Sequence, residues 1–392
     1  MEVTVTQATQ TENNWFKFYF ASWYKKSPYF ARTVEAGCTS WDLYNHMLIP
    51  TLYDDDVKEY WHLLEHVTLW DVAVERQVEI TGPDAAEFVQ LLTPRDLSTC
   101  RVGQCKYVVL CAPDGGIVND PILLKLAEDR FWLSLADSDA LLFAVGVQAF
   151  AGLNVHIREP DVSPLQVQGP KSKPLVSKLF GDAVANLRYY WCSETSLAGI
   201  PVVVSRTGWT GEVGYEVYLR DSSRASELWD RIMEAGQEFE IRATAPSDQR
   251  RMEAGIFNYG NDMDITNNPF EVTGLERLVE LDNDNRVVSR EALERIRAEG
   301  VRQKLVGVRI DGEPLGMWLE DFWPVSYGGK KVGRLTSASY SPRLEMNMGY
   351  AWVPIEAAAM GTGLLITTPS GPLSATVVPL PFWDPAKNVP KS

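Results

Sequence analysis

The sequence is poor in the residues that build disulfides and metal sites. Its 392 residues hold five cysteines, at 38, 100, 105, 111 and 192, and only four histidines. The cysteine count is odd and contains no CxxC pair, so neither a disulfide framework nor a zinc site finds support. His62 and His66 stand four apart, but no glutamate completes an HExxH pattern, and the pair reads as one helix face. No window approaches eighteen uninterrupted apolar residues, which argues against a transmembrane helix. The opening MEVTVTQATQTENN lacks the basic and apolar regions of a signal peptide. Positive charge is also scarce: 37 Lys and Arg face 52 Asp and Glu, a formal net charge of −15. Such a surface repels nucleic acid and anionic membranes, although a local arginine cluster can still hold an anionic small molecule. The expectation is a cytoplasmic, metal-free protein with no nucleic-acid or membrane partner.

What is present fits a globular protein, with 45% hydrophobic and 23% charged residues. The length calls for two or three domains. Thirteen Trp, fifteen Tyr and fourteen Phe supply core and pocket walls. Residues 1 to about 12 are polar and read as loose, and aromatic residues crowd Trp15 to Phe30. Apolar spacing predicts helices over Asp54–His66, Ala85–Leu92, Ala140–Phe150, Pro174–Phe180, Ala225–Gly236 and Arg290–Glu299. Strands are expected at Val74–Thr81, Cys105–Cys111, Ile122–Leu126, Arg130–Leu135 and Leu165–Gln168. Gly82-Pro-Asp-Ala and Gly169-Pro-Lys-Ser both stand at strand-to-helix junctions, 87 positions apart. That repetition hints at two related α+β units.

The segment Val203–Tyr218, VVSRTGWTGEVGYEVY, reads as a hairpin in which Gly208, Gly211 and Gly214 recur every three positions. Glycine permits positive φ and close approach to the main chain, so the hairpin is suited to receiving a flat polar molecule. An ordinary bulged hairpin gives the same pattern. Beyond Lys304 the pattern changes to short strands with Gly and Pro turns: Leu305–Ile310, Val325–Tyr327, Lys331–Ser337, Gly349–Val353, Gly363–Thr367 and Leu373–Val378. A separate barrel-like domain is expected there, after a boundary near 285 to 304.

Four motifs in order carry more information than any one of them: Gly115-Gly-Ile-Val-Asn-Asp-Pro121; Arg206-Thr-Gly-Trp-Thr-Gly-Glu-Val-Gly-Tyr-Glu216; Arg251-Met-Glu-Ala-Gly255 with Tyr259-Gly-Asn-Asp-Met-Asp264; and Val332-Gly-Arg-Leu-Thr-Ser-Ala-Ser-Tyr-Ser-Pro342. From about Tyr44 to Pro381 the chain resembles the aminomethyltransferase (glycine-cleavage T-protein) family. Tyr44-Asn-His-Met47, the run Leu69–Glu79 and the run Asp120–Trp132 are similar to its tetrahydrofolate-dependent demethylase branch, which includes dimethylsulfoniopropionate and aryl methyl ether demethylases. Thr210-Gly-Glu-Val-Gly214 and Glu253-Ala-Gly255 lean instead to the glycine-cleavage side.

The resemblance implies an α+β, T-protein-like multi-domain fold around a central folate site. It places a folate-binding region over 15–290, in two related sub-units of about 44–150 and 151–290, and a C-terminal β-barrel over 304–385. It implies a demethylase that moves a methyl group from a small O-methyl or S/N-methyl onium substrate to tetrahydrofolate, giving 5-methyltetrahydrofolate. Aminomethyl transfer in a glycine-cleavage-type system and non-catalytic folate binding are the alternatives. The cofactor ligands it implies are Tyr107, Asp120, Trp209, Glu216 and Arg251, with the pteridine docked between Asp120 and Glu216. Tyr107 and Trp209 would pack on its rings, and Arg251 would bind its polar end. The alternatives are Asp120 only shaping a turn before Pro121, Arg251 pairing with Glu253 or Asp248 in a surface helix, and Trp209 as plain core.

Methyl transfer is an in-line displacement, so alignment is the protein's main task. Asp120 is the candidate to take the proton or stabilise developing positive charge. A phenolate leaving group would need a donor, and Tyr44, His46 and Tyr259 are the candidates; a thioether would need none. Trp41, Trp191 and Trp209 offer an aromatic wall that suits an onium cation or an aryl ring equally. The substrate-binding set is thus Tyr44, His46, Trp191, Trp209 and Tyr259, and the catalytic set Asp120, His46 and Tyr259. A homodimer is the assembly considered.

Overall fold

A computed structural model describes residues 21–316 and 319–392. Residues 1 to 12, and the aromatic run as far as Phe20, lie outside the described residues. The chain forms two compact units, one of 1–77, 159–247 and 389–392, the other of 78–158 and 248–388.

The first unit is built on a six-stranded sheet ordered Cys192–Leu197, Ile200–Ser205, Gly214–Leu219, Ser163–Gln168, Val67–Asp71 and Ile241–Ala243. Only the last pair is parallel. Val67–Asp71 and Ser163–Gln168 are buried along their whole length, as central strands covered on both faces are, although each carries polar residues. Helices Ser172–Phe180 and Ala225–Gly236 pack Leu175, Val176, Leu228, Trp229 and Ile232 into its core. Proline does not open the first of these helices. Ser172 does, and Pro174 takes the third position, where an N–H would equally lack an intrahelical partner. Helix Asp56–Glu65 is capped by Asp55, whose carboxylate accepts from Lys58 N at 2.9 Å.

The second unit holds a five-stranded sheet ordered His156–Arg158, Gln77–Thr81, Arg130–Ser134, Ile122–Ala127 and Cys105–Tyr107, with helices Ala85–Leu92 and Ala140–Ala151. It also holds a closed six-stranded barrel of Gln303–Ile310, Met346–Pro354, Lys330–Ser341, Trp323–Tyr327, Gly363–Thr368 and Gly371–Val378. All six barrel strands stand where turn spacing places them. Among the described residues no helix is long and apolar enough to cross a membrane.

The repeated Gly-Pro junctions share a backbone solution. Gly82 (φ +126°) and Gly169 (φ +117°) both sit where a Cβ would meet a carbonyl oxygen, Asn154 O at 2.6 Å and His66 O at 2.5 Å. In both, the glycine carbonyl accepts from the amide three residues on, Ala85 N and Ser172 N, each at 3.0 Å. Two strand-to-helix turns of one design therefore occur, one in each unit.

The strand expected over Cys105–Cys111 is broken, and the break shapes the site. Cys105–Tyr107 pairs with Ile122–Ala127, Val108 N donates to Pro121 O, and Leu110–Cys111 pairs instead with Ile117–Asn119. The chain thus changes partner at Val108, and the opposing corner is Asp120-Pro121.

Candidate active site

Each sequence-expected site residue falls in one unit or the other. Tyr107, Asp120, Arg251 and Tyr259 belong to the second unit; Tyr44, His46, Trp191, Trp209 and Glu216 belong to the first.

In the second unit, Asp120 Oδ2 accepts from the Tyr107 phenol at 2.8 Å. Its other oxygen, Oδ1, is shut off from solvent and has no hydrogen-bond partner. Desolvation pushes the Asp120 carboxyl up to about 7, and Asp262 adds to the rise, while the bond from Tyr107 opposes it. A bare buried acceptor is costly unless a donor arrives, and such atoms mark functional positions. Tyr259 lies near enough to feel Asp120, Asp137 and Asp264, but its phenol proton already goes to Ile117 O at 2.8 Å. Burial and those carboxylates raise its pKa further.

Arg251 is placed differently from expectation. It is 1% exposed, and its guanidinium is used within the chain. Nε meets Asp248 at 2.6 Å, Nη1 meets Asp262 at 2.7 Å, and Nη2 donates to Ser337 Oγ at 2.9 Å. Asp262 also accepts from Thr336 and Ser337, and Ser341 Oγ donates to Glu253 at 2.5 Å. Two of the four motifs are thereby tied together: the third, through both Arg251–Gly255 and the Tyr259–Asp264 loop, and the fourth, the Val332–Pro342 strand. The acidic and basic residues recurring in these motifs were the available signal, and they mark a buried ionic staple.

In the first unit, the glycine hairpin has an occupant from its own chain. The side-chain amide of Gln168 lies against Gly208 and Gly214, and a Cβ at either glycine would overlap it. Thr210 Oγ1 donates to Gln168 Oε1 at 2.8 Å, and Gln168 Nε2 reaches Thr207 O and Tyr215 O at 3.4 and 3.3 Å. The flat polar group these two glycines admit is an internal glutamine; of the three, only Gly211 needs positive φ, +67°. Gly214→Ala is expected to cost about 1–3 kcal/mol through overpacking, and Gln168→Ala in the same chain should recover part of it. Urea unfolding of both variants checks this.

Glu216, on the neighbouring strand, is buried and well supplied with donors. Oε2 accepts from Thr207, from Tyr218 at 2.9 Å and from Ser205 at 3.4 Å; Oε1 accepts from Gln166 Nε2 at 2.8 Å. Burial raises its pKa and these donors offset part of the rise. Gln166, absent from the sequence expectations, keeps its own Oε1 buried and unpartnered. Trp209 packs on Leu63, Trp70 and Val72, and the Arg188 guanidinium lies 6.0 Å from the Trp191 ring. His46 is exposed. Asn45 and His46, with φ of 50° and 61°, form the two-residue corner of hairpin Ser40–Tyr44/Met47–Leu52, and Asn45 Nδ2 holds Val74 O at 2.9 Å. Tyr44 is half-buried beside that corner.

These geometries set buried carboxylates on an α+β scaffold whose second unit also carries a closed barrel. A model of the GCVT N-terminal domain matches residues 11–283, and one of the glycine cleavage T-protein C-terminal barrel domain matches 303–384. The chain belongs to the glycine-cleavage T-protein family. It is 38% identical over 353 residues to the dimethylsulfoniopropionate demethylase DmdA of Ruegeria pomeroyi, covering 90% of this chain and 96% of that protein. It is 32% identical over 366 residues to an aminomethyltransferase of Symbiobacterium thermophilum, covering 90% and 94%. Its fold matches the glycine cleavage system aminomethyltransferase T of Bartonella henselae, with a TM-score of 0.82 at 23% identity over 92% of this chain and 98% of that one. Membership makes this an enzyme of the methyl-transferring class, and its cofactor is tetrahydrofolate. The residues present suit that cofactor. A reduced pterin carries a row of N–H donors, and Asp120 Oδ1 is a buried acceptor lacking a donor.

Proposed function

We propose that the protein is a tetrahydrofolate-dependent demethylase acting on a small methylated onium compound, with a methyl sulfonium carboxylate as the first candidate. The observation that carries this reading is Asp120, with one oxygen held by Tyr107 and the other buried and bare. Tetrahydrofolate, when bound, supplies N5 as the nucleophile that receives the methyl group. Asp120 accepts the proton displaced from that nitrogen at Oδ1, in line with a carboxyl raised to about 7, close to working pH. Arg251 acts as a positioning residue, holding Asp262 within the buried network beside Asp120.

The acid candidates favour an onium over an aryl ether. Tyr259 spends its proton on Ile117 O, and His46 stands exposed at a hairpin corner. A sulfonium leaves as a neutral thioether and asks for neither. Identity to the demethylase relative, 38% against 32% for the aminomethyltransferase, supports the same branch. Five buried cysteines, none of them in a disulfide, support a reducing compartment such as the cytoplasm. Supplying tetrahydrofolate with methyl sulfonium, betaine or methoxyaryl donors, or with an aminomethylated lipoyl carrier, tests the reading by product analysis. Formation of 5-methyltetrahydrofolate from the sulfonium is expected. Turnover with the carrier alone would establish aminomethyl transfer in its place.

A further inference from the structure

Tyr107 was expected to offer its ring to the cofactor, but the structure shows its hydroxyl in use. We propose that Tyr107 is the positioning residue of this site: its phenol O–H, 2.8 Å from Asp120 Oδ2, fixes one carboxylate oxygen so that the other is presented bare and ionised. The proposal rests on the demethylase reading only for the reaction step; the dyad itself belongs to the ligand-free protein.

The backbone makes the dyad rigid. Tyr107 is the last residue of strand Cys105–Tyr107 and is opposite Ile122 in the ladder. Val108 N donates to Pro121 O at 3.1 Å, so both residues flank the same pinned corner. The Arg95 guanidinium holds the Tyr107 carbonyl from the other side. A phenol held in this way can choose only one of the two carboxylate oxygens, which explains why Oδ1 stays empty while Oδ2 is occupied.

Beside the smaller help of Asp120's own backbone N–H, Tyr107 is the group favouring the ionised form. Asp262 opposes ionisation of Asp120, although Arg251 neutralises much of its charge. Asp137 and Asp264 lie near Tyr259, whose phenol stays neutral and sends its proton to Ile117 O. Desolvation acts in the same direction as Asp262. The Tyr107 hydroxyl is the side-chain donor set against them. Without it, Asp120 would be protonated at neutral pH and unable to accept a proton at Oδ1.

Tyr107→Phe isolates this role, because it keeps the ring and any stacking and removes only the O–H. The readout is the titration of the Asp120 side-chain carboxyl by carbon-13 NMR, in full-length protein without folate or substrate. The variant should titrate about one to two pH units above the wild type, the amount expected for losing a hydrogen bond to a charged group. The acid limb of kcat/KM should move up by the same interval, leaving about a fifth or less of wild-type kcat/KM at pH 7, with KM for tetrahydrofolate little changed. An unchanged Asp120 titration would overturn the proposal, as would an unmoved acid limb in an active enzyme. If the wild type showed no demethylation while the carboxyl titration still shifted, the demethylase reading would fall and the dyad would stand.

Discussion

Asp120→Asn is expected to leave the protein folded and to lower turnover about 10²–10⁴-fold, the range for losing a positioned general base. The substitution keeps the shape of the side chain but removes the proton acceptor at Oδ1. It should also change how stability depends on pH. The Asp120 carboxyl is raised from the ordinary 3.8 to about 7 in the folded protein, with burial the main cause. The folded state therefore binds this proton more tightly than the unfolded chain does. Its contribution to stability is complete below about pH 4 and is lost as pH rises through about 7. Asp71, raised to about 6 by burial and bonded by Ser27, slopes the same way. Across that interval the Asn variant should lack the part due to Asp120, on the order of 3–4 kcal/mol. Thermal melts at pH 5 and pH 8 check this: the variant should gain on the wild type at the higher pH. Turnover within threefold of wild type would remove Asp120 from the chemistry.

Arg251→Ala should damage the fold rather than cofactor affinity. Burial lowers the pKa of the Arg251 guanidinium, and Asp248 and Asp262 more than reverse that, so the arginine stays charged in its buried position. Removing it leaves two carboxylates facing each other without a cation, at about 3–5 kcal/mol for breaking a buried pair. Ser337 and the Ile256 carbonyl lose a donor as well. Equilibrium unfolding in urea should show this loss. A variant of wild-type stability with a raised KM for tetrahydrofolate would instead make Arg251 a direct ligand of the cofactor.

Much of the architecture was legible in local pattern. Helices Ala85–Leu92, Ala225–Gly236 and Arg290–Glu299 begin and end where periodicity places them, and the barrel strands follow the Gly and Pro turns. Long-range pairing was not legible. Val67–Asp71 joins Ser163–Gln168 across nearly a hundred positions, and no periodicity encodes which buried strand meets which. The same limit applies at the site. Aspartate before Pro121 was visible as a chemical candidate, but the phenol that holds it lies on a different strand and is brought there by a ladder that breaks at Val108. The glycine triplet was visible too, yet its chemistry was read outward. Gly208 and Gly214 make room for Gln168, which stands some forty residues earlier and carries no motif of its own. Arg251 shows the complementary ambiguity: pairing with Asp248 was one of two readings of that cation, but its burial against Asp262 was not visible in the motif.

The most direct measurement is label transfer. Full-length protein, tetrahydrofolate and a carboxylated dimethyl sulfonium with carbon-13 in its methyl groups would be followed by NMR, wild type beside Asp120→Asn. The account predicts that the label appears on N5 of 5-methyltetrahydrofolate, with release of the neutral thioether, and that the variant slows this at least a hundredfold. Label that stays on the sulfonium in the presence of wild-type enzyme and reduced folate would contradict it.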